Sequence, residues 1–290
     1  MTGAAAPMSA DDEALVVVPA RHPVRWIVVG VLSLLALAVL RSVATNPRFG
    51  WPVFAEYLFN PLILSGIVTT LWLTAAAMAL GVALGVLLAT MRLSGNPVAV
   101  GFAALFIGFF RGTPALVQLI FWYNLAALYP TYALGVPFTG RALLSGSVND
   151  LINPYTAAIL GLSLNEAAYM AEIVRAGILS VDRGQMEAAR ALGMTRPTAM
   201  RRIILPQAMR FIVPPTGNET IGMLKTTAIV SVIALADLLY SAQTIYSRTF
   251  QTIPLLLVAS AWYLAMTSLL SLGQWRLERR LARGHAQARG

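Results

Sequence analysis

The chain has 290 residues, 58% of them hydrophobic and only 11% charged, with a mean hydropathy of +0.71. This excludes a soluble domain and points to an integral membrane protein with room for six spans of about 20 residues each and their loops. The absence of cysteine excludes disulfides and thiolate metal sites, and the net charge of +9 follows membrane topology rather than affinity for nucleic acid.

Residues 1–25 form a tail of small, polar and mildly acidic residues (Asp11, Asp12, Glu13), with Arg21, His22 and Arg25 gathering at its end. A cleaved signal peptide would carry its basic region near the start, so a cytoplasmic tail is expected. Apolar spans are predicted near 26–44, 64–91, 98–128, 155–178, 203–226 and 252–274. The first stands apart as an extra N-terminal helix, 60–275 is the main transmembrane domain, and 276–290 is a second cytoplasmic tail. In the second span Gly81 and Gly85 permit another helix to pack closely.

The third span holds Arg111, thirteen residues after Val98. That is about 20 Å along a helix at 1.5 Å per residue, too deep for easy snorkelling, so Arg111 must face protein or water. Gly112 permits close backbone approach, and Pro114 predicts a kink. Residues 129–153 form the main external loop, rich in turn formers (Pro130, Gly135, Pro137, Gly140, Gly146). It is longer than a simple connection requires and reads either as a contact surface for an external protein or as a tolerated insertion.

The fourth span supplies Asn165, Glu166, Tyr169, Glu172 and Arg175. Glu172 and Arg175 can pair on one helix face or serve transport, whereas Glu166 has no such local partner. Residues 182–202 predict a helix, a tight turn and a second helix. Asp182 is the N-cap, Gln185 the reciprocal partner of a capping box, and a helix follows from about Arg183 to Leu192. Gly193 supplies a left-handed stop, Thr195 a second cap, and Pro197 sits in a first turn that tolerates its missing N–H. The fifth span carries Pro206, Pro214, Pro215, Asn218 and Glu219, with Lys225 near its end. Prolines at this depth imply breaks whose freed backbone groups are satisfied by protein or water, as suits the wall of a transport path.

Basic residues set the orientation. Arg21, Arg25, Arg92, Arg175, Arg183, Arg190, Arg196, Arg201, Arg202, Arg210, Arg276, Arg279, Arg280, Arg283 and Arg289 fall on one side, against Arg41, Arg48, Arg141 and Arg248 on the other. Both termini and the 182–202 loop are therefore expected in the cytoplasm.

The loop's spacing also imitates a DNA-binding helix-turn-helix, through Ala188-Ala189, Leu192-Gly193, Thr195, Thr198 and Arg201-Arg202. A recognition helix needs a third helix for a small core, and apolar spans begin here within a few residues of each end. A basic amphipathic segment lying on anionic lipid is another reading. Gly217 and Gly222 have the spacing of a phosphate loop, but Met223 stands at the lysine position, so no nucleotide site follows. His22 and His285, both in tails, offer neither a metal cluster nor a catalytic base.

The string Glu187-Ala188-Ala189, then Gly193, Ile203 and Leu205-Pro206, resembles the EAA loop of permease subunits of bacterial ABC importers. Phe110-Arg111-Gly112-Thr113-Pro114-Ala115-Leu116-Val117-Gln118, the segment from Asn165 to Arg175, and Asn218-Glu219 with Leu224-Lys225-Thr226-Thr227 resemble permeases for polar amino acids of the histidine, glutamine, glutamate and arginine type. The resemblance covers roughly 60–275. It implies an all-α integral membrane protein, a bundle of about six transmembrane helices with a cytoplasmic helix-turn-helix coupling loop over 182–206. On that loop Glu187, Ala188, Ala189, Gly193, Ile203, Leu205 and Pro206 would meet a separate ATPase dimer. It implies a substrate path drawn from Arg111, Thr113, Gln118, Asn165, Glu166, Tyr169, Glu172, Asn218, Glu219 and Lys225. It also implies pairing with a second permease subunit, an extracytoplasmic solute-binding protein that delivers the amino acid, a place in the bacterial cytoplasmic membrane, no partner nucleic acid, and no cofactor or enzymatic activity of its own, ATP being bound by the partner. Two other classes compete: an ion-coupled secondary transporter relaying protons through Glu166, Glu172 and Glu219, and a membrane-anchored helix-turn-helix regulator.

Overall fold

The computed structural model describes residues 23–135 and 142–282. The tail with His22, the loop tip with Pro137, Gly140 and Arg141, and the final segment with His285 lie outside the described residues. The chain divides into two units between Phe49 and Gly50. The first contributes α1 (Pro23–Thr45) and a 3-10 turn (Pro47–Phe49). α1 is apolar on all sides, as a helix solvated by lipid must be.

The second unit opens with α2 (Trp51–Tyr57), α3 (Pro61–Arg92), α4 (Pro97–Gly112), α5 (Ala115–Tyr123) and the single turn α6 (Leu125–Leu128). An antiparallel hairpin of β1 (Thr131–Gly135) and β2 (Ala142–Ser147) pairs Thr131 with Ser147 and Tyr132 with Gly146, so the long loop carries local structure of its own. A turn of helix, α7 (Val148–Leu151), leads into α8 (Pro154–Leu179). Then come α9 (Arg183–Ala191), α10 (Arg196–Ala199), a π turn (Met200–Ile204), α11 (Leu205–Thr226) and a 3-10 helix (Thr227–Ile233). α12 (Leu238–Thr249) and α13 (Thr252–Ala282) complete the bundle.

Helices α3, α4 and α8 all begin Asn-Pro. The Asn side chain accepts the amide of Leu62 at 2.9 Å, of Val98 at 2.9 Å and of Thr156 at 3.0 Å, while proline takes a first-turn position where an N–H would find no partner. α8 lies at the centre with α3 against it. A Cβ on Gly81 would come within 2.6 Å of Glu166 Cγ, and one on Gly85 within 2.5 Å of Met170 Cβ. The two glycines thus bring the backbones together, which is how helices associate where lipid removes the hydrophobic drive. Leu73, Ala77, Leu119, Leu162 and Met170 fill the core beside them, and Ile63, Leu224, Leu238, Leu255 and Val258 form a second cluster.

Among the described residues α1, α3, α8 and α13 are each long and apolar enough to span a membrane, and two bent pairs qualify only when joined. The third expected span is one of these pairs: α4 and α5 meet at 101°, too sharp for a single straight span over 98–128. The fifth does not stop at 226. It runs through the 3-10 helix to Ile233, bends by 46° and continues as α12. α13 likewise extends beyond 274 to Ala282, carrying the helix into the basic segment.

Candidate functional site

The last turn of α4 and the facing sides of α8 and α11 wall a cleft of about 570 Å³, lined by Arg111, Tyr169, Glu172, Phe211, Pro215 and Glu219 among others. Helical spacing explains the walls. Tyr169, Glu172, Ile173 and Ala176 follow one another at intervals of three and one, and Phe211, Pro215 and Glu219 at intervals of four, so each set lies on one face. The Arg111 guanidinium sits over the Tyr169 ring, 5.2 Å from its centroid, a cation–π contact. Glu172 accepts from Arg175 Nη2 at 2.7 Å, so its expected pairing is present at the rim of the cleft. One cation and two carboxylates facing a common space can hold a group that carries both signs of charge.

Arg111 is presented there by the break behind it. In an unbroken helix the carbonyl of Phe110 would accept the N–H of residue 114, but Pro114 has none. Two side-chain amides take its place. Gln118 Nε2 donates to Phe110 O at 3.0 Å, Thr113 O at 3.0 Å and Thr113 Oγ1 at 2.7 Å; Asn165 Nδ2 donates to Phe110 O at 3.0 Å and to Gln118 Oε1 at 3.2 Å. Gln118 is only 5% exposed. Thr113, Gln118 and Asn165, expected along the path, are thus engaged in holding the bend and do not line the cleft.

The remaining candidates separate. Glu166 is 3% exposed and packs on Gly81 of α3, and its Oε1 finds no hydrogen-bond partner among the described residues. Asn218 accepts from Gln274 Nε2 on α13 at 3.0 Å. Lys225 is exposed in the last turn of α11, away from the cleft. Phe211 was not among the expected path residues; its place four residues before Pro215 and eight before Glu219 was the available signal.

The helix-turn-helix stands as expected in its main lines. Asp182 Oδ1 accepts the amide of Gly184, Gly193 takes a φ of +75°, and the amides of Met194 and Gly193 bond to Ala189 O at 3.0 Å and Arg190 O at 2.9 Å. That is a Schellman close, which requires a left-handed residue. Two details differ. Gln185 does not reach back to its cap but accepts from Gln207 Nε2 on α11 at 3.3 Å, tying α9 to the following span. Thr195 Oγ1 faces Thr198 Oγ1 at 2.9 Å rather than a backbone amide. The second helix is also not separate, because α10 passes through the π turn directly into α11. Ala189 and Ala199 are buried, and Ile203 and Leu205 half-buried. Glu187, Ala188, Gly193 and Pro206 are exposed, with Leu192 at the tip 81% exposed.

A multi-pass helical bundle with a charged cleft between its spans and an exposed helix-turn-helix between two of them defines a membrane permease. Residues 81–283 match the family described as binding-protein-dependent transport system inner membrane component, and the chain belongs to that family. It is 47% identical over 268 residues to the arginine transport system permease protein ArgU of Corynebacterium glutamicum, covering 92% of this chain and 83% of that one. It is 36% identical over 235 residues to the glutamine transport system permease protein GlnP of Escherichia coli, covering 81% and 98%. Among solved structures, an amino acid ABC transporter described with histidines superimposes with a TM-score of 0.67 at 40% identity, covering 78% of this chain and 97% of that one. The inward-facing MetNI methionine transporter shares the fold, with a TM-score of 0.61 at 19% identity over 76% and 96% of the two chains. The chain is therefore a multi-pass membrane protein and the permease subunit of an ABC transport system. It is not an enzyme, and ATP hydrolysis belongs to a separate subunit. These findings favour transport over a DNA-binding regulator and an ATP-driven system over an ion-coupled one.

Proposed function

We propose that this permease subunit passes a polar amino acid inward through the Arg111 cleft, driven by an ATPase dimer docked on the 182–206 loop. The observation that carries the reading is the convergence of Arg111, Glu172 and Glu219 on one space. An amino acid's carboxylate pairs with the Arg111 guanidinium and its ammonium with Glu219. Glu172, already paired with Arg175, lies at the rim beside them. Such charge-assisted contacts at membrane depth recognise a zwitterion that lipid excludes.

The bias of basic residues supports cytoplasmic termini and a cytoplasmic loop. On that loop the exposed Glu187, Ala188, Leu192 and Gly193 offer a surface to the ATPase, while the continuous path from α10 into α11 carries its motion toward Phe211, Pro215 and Glu219. A second permease chain, identical or paralogous, completes the path, and a solute-binding protein delivers substrate to the opposite side.

The deciding experiment is uptake by the complex reconstituted with its ATPase and binding protein. Arg111→Ala is expected to lower uptake at least tenfold with assembly intact, and Arg111→Lys to restore part of it; unchanged uptake in Arg111→Ala removes the cleft from the path. Gly193→Asp is expected to leave insertion intact and uncouple uptake from hydrolysis, because its φ is strained for any side chain; normal coupling would sink the docking reading. Cysteines introduced at Ser145 and Leu192 should label from outside and inside respectively, and the reverse pattern refutes the orientation.

A further inference from the structure

The bend between Ile233 and Leu238 contains no proline or glycine; the 3-10 helix closes on Ala234, whose amide donates to Ser231 O at 3.1 Å while that of Leu235 donates to Val230 O at 3.3 Å. Ala234 takes a φ of +57°, a left-handed conformation that costs a residue with a Cβ. Three residues on, Asp237 is wholly buried at 0% exposure. Its Oδ1 accepts the amide of Tyr240 at 2.8 Å, capping α12, and its Oδ2 accepts the Tyr263 hydroxyl of α13 at 3.3 Å. The neighbouring amide of Leu238 donates to Thr70 Oγ1 of α3 at 3.1 Å. α3 can come this close because Gly66 faces the joint: a Cβ there would stand 2.7 Å from Asp237 O and 2.9 Å from Leu238 Cα. The strained joint is thereby fastened to two other spans by polar contacts in an apolar interior, where an orphaned polar group is costly.

We propose that this joint is the fulcrum of the transport motion, with Asp237, Tyr263 and Thr70 as positioning residues that hold it to α3 and α13. The inference rests on the docking reading above. The segment from Arg196 to Ile233 is then a lever: it enters from the docking element, forms one wall of the cleft, and ends at the joint. α11 stays helical through Pro214 and Pro215. At the rises of α and 3-10 helices, Leu205 lies about 45 Å from the joint and the Pro215–Glu219 stretch about 28 Å. A displacement at the loop therefore reaches the cleft wall reduced to roughly 0.6 of its size. α12, beyond the fulcrum, stays in place. With the fastening removed, the span shifts as a whole, and hydrolysis no longer produces a swing at the cleft.

Two measurements on the full complex in proteoliposomes test this. In Tyr263→Phe and Thr70→Val, hydrolysis stimulated by the loaded binding protein is expected to stay within about twofold of the parent, while amino acid moved per ATP falls at least fivefold. A role in packing alone would lower assembly, hydrolysis and uptake together, and that result overturns the proposal. The second measurement needs no destabilising variant. In the cysteine-free chain, spin labels at Val68 and Phe250 are expected to keep one distance with and without nucleotide, whereas labels at Val68 and Met209 shift. Equal shifts in both pairs mean that the span moves as one body, and overturn the fulcrum. Normal coupling in Tyr263→Phe beside an uncoupled Gly193→Asp also overturns the fulcrum and leaves the docking reading standing; normal coupling in Gly193→Asp counts against the docking reading itself.

Discussion

At Pro114 the α4–α5 bend is forced by a missing N–H, and at Ala234 the bend before α12 follows a left-handed helix close that neither proline nor glycine marks. The first frees a known carbonyl, that of Phe110, and the amides of Gln118 and Asn165 satisfy it from nearby. The second frees the amides at the start of α12, and a carboxylate with a threonine hydroxyl from another span satisfies them. A proline break persists whatever its neighbours do, so its side-chain amides serve mainly to make it affordable. The break at Ala234 combines a local backbone close with contacts from α3 and α13. The two bends therefore suit different tasks: a corner that presents Arg111, and a joint attached to two other spans.

The largest effect that tests this contrast is expected for Gln118→Leu, which strips the half-buried Thr113 carbonyl of its amide partner and one donor from Phe110. About 2–3 kcal/mol of stability should be lost, seen as a lower thermal unfolding midpoint of the purified complex. Combining it with Pro114→Ala should recover about 1 kcal/mol of that loss, because the restored N–H can serve Phe110 O once the helix is able to close. If the two changes simply add, proline is not the cause of the corner. Asn165→Ala is expected to cost about 1 kcal/mol, since Gln118 still reaches Phe110 O. The smallest effect belongs to the other bend: Ala234→Gly should raise stability by about 0.5–1 kcal/mol through relief of the left-handed strain. A loss at Ala234→Gly would mean that its methyl group contributes more through packing than its backbone costs.

The contrast also explains what could be read in the sequence. Pro114 announces a corner, Gly193 a left-handed stop, and Gly81 with Gly85 a close helix contact, because each residue's covalent structure restricts or frees the backbone by itself. The cleft was half legible: Arg111, Tyr169, Glu172 and Glu219 stood out as polar groups in apolar runs, whereas Phe211 is apolar among apolar residues and only its spacing marks it. Thr113, Gln118 and Asn165 stood out for the same reason as Arg111, but their polarity serves the backbone. No residue type marks Ala234: it closes the 3-10 helix through the amides of Ala234 and Leu235 on Ser231 O and Val230 O, as Gly193 closes α9, but without a glycine to announce it. An Asp followed by a leucine pair was the one clue to a new helix start at Asp237. The hairpin after α6 was hidden in a segment that composition marks only as turn-rich.

The π turn at Met200–Ile204 carries a consequence for register. A π turn accommodates one residue more than an α-helical turn, and one residue corresponds to about 100° of rotation around a helix. The turn thus absorbs that residue and keeps the face of α11 in phase with the α9–α10 element. Deleting one residue between Met200 and Ile204 would therefore close the turn to an α turn with Phe211, Pro215 and Glu219 still toward Arg111, whereas the same deletion between Leu205 and Met209 would turn them by about 100°.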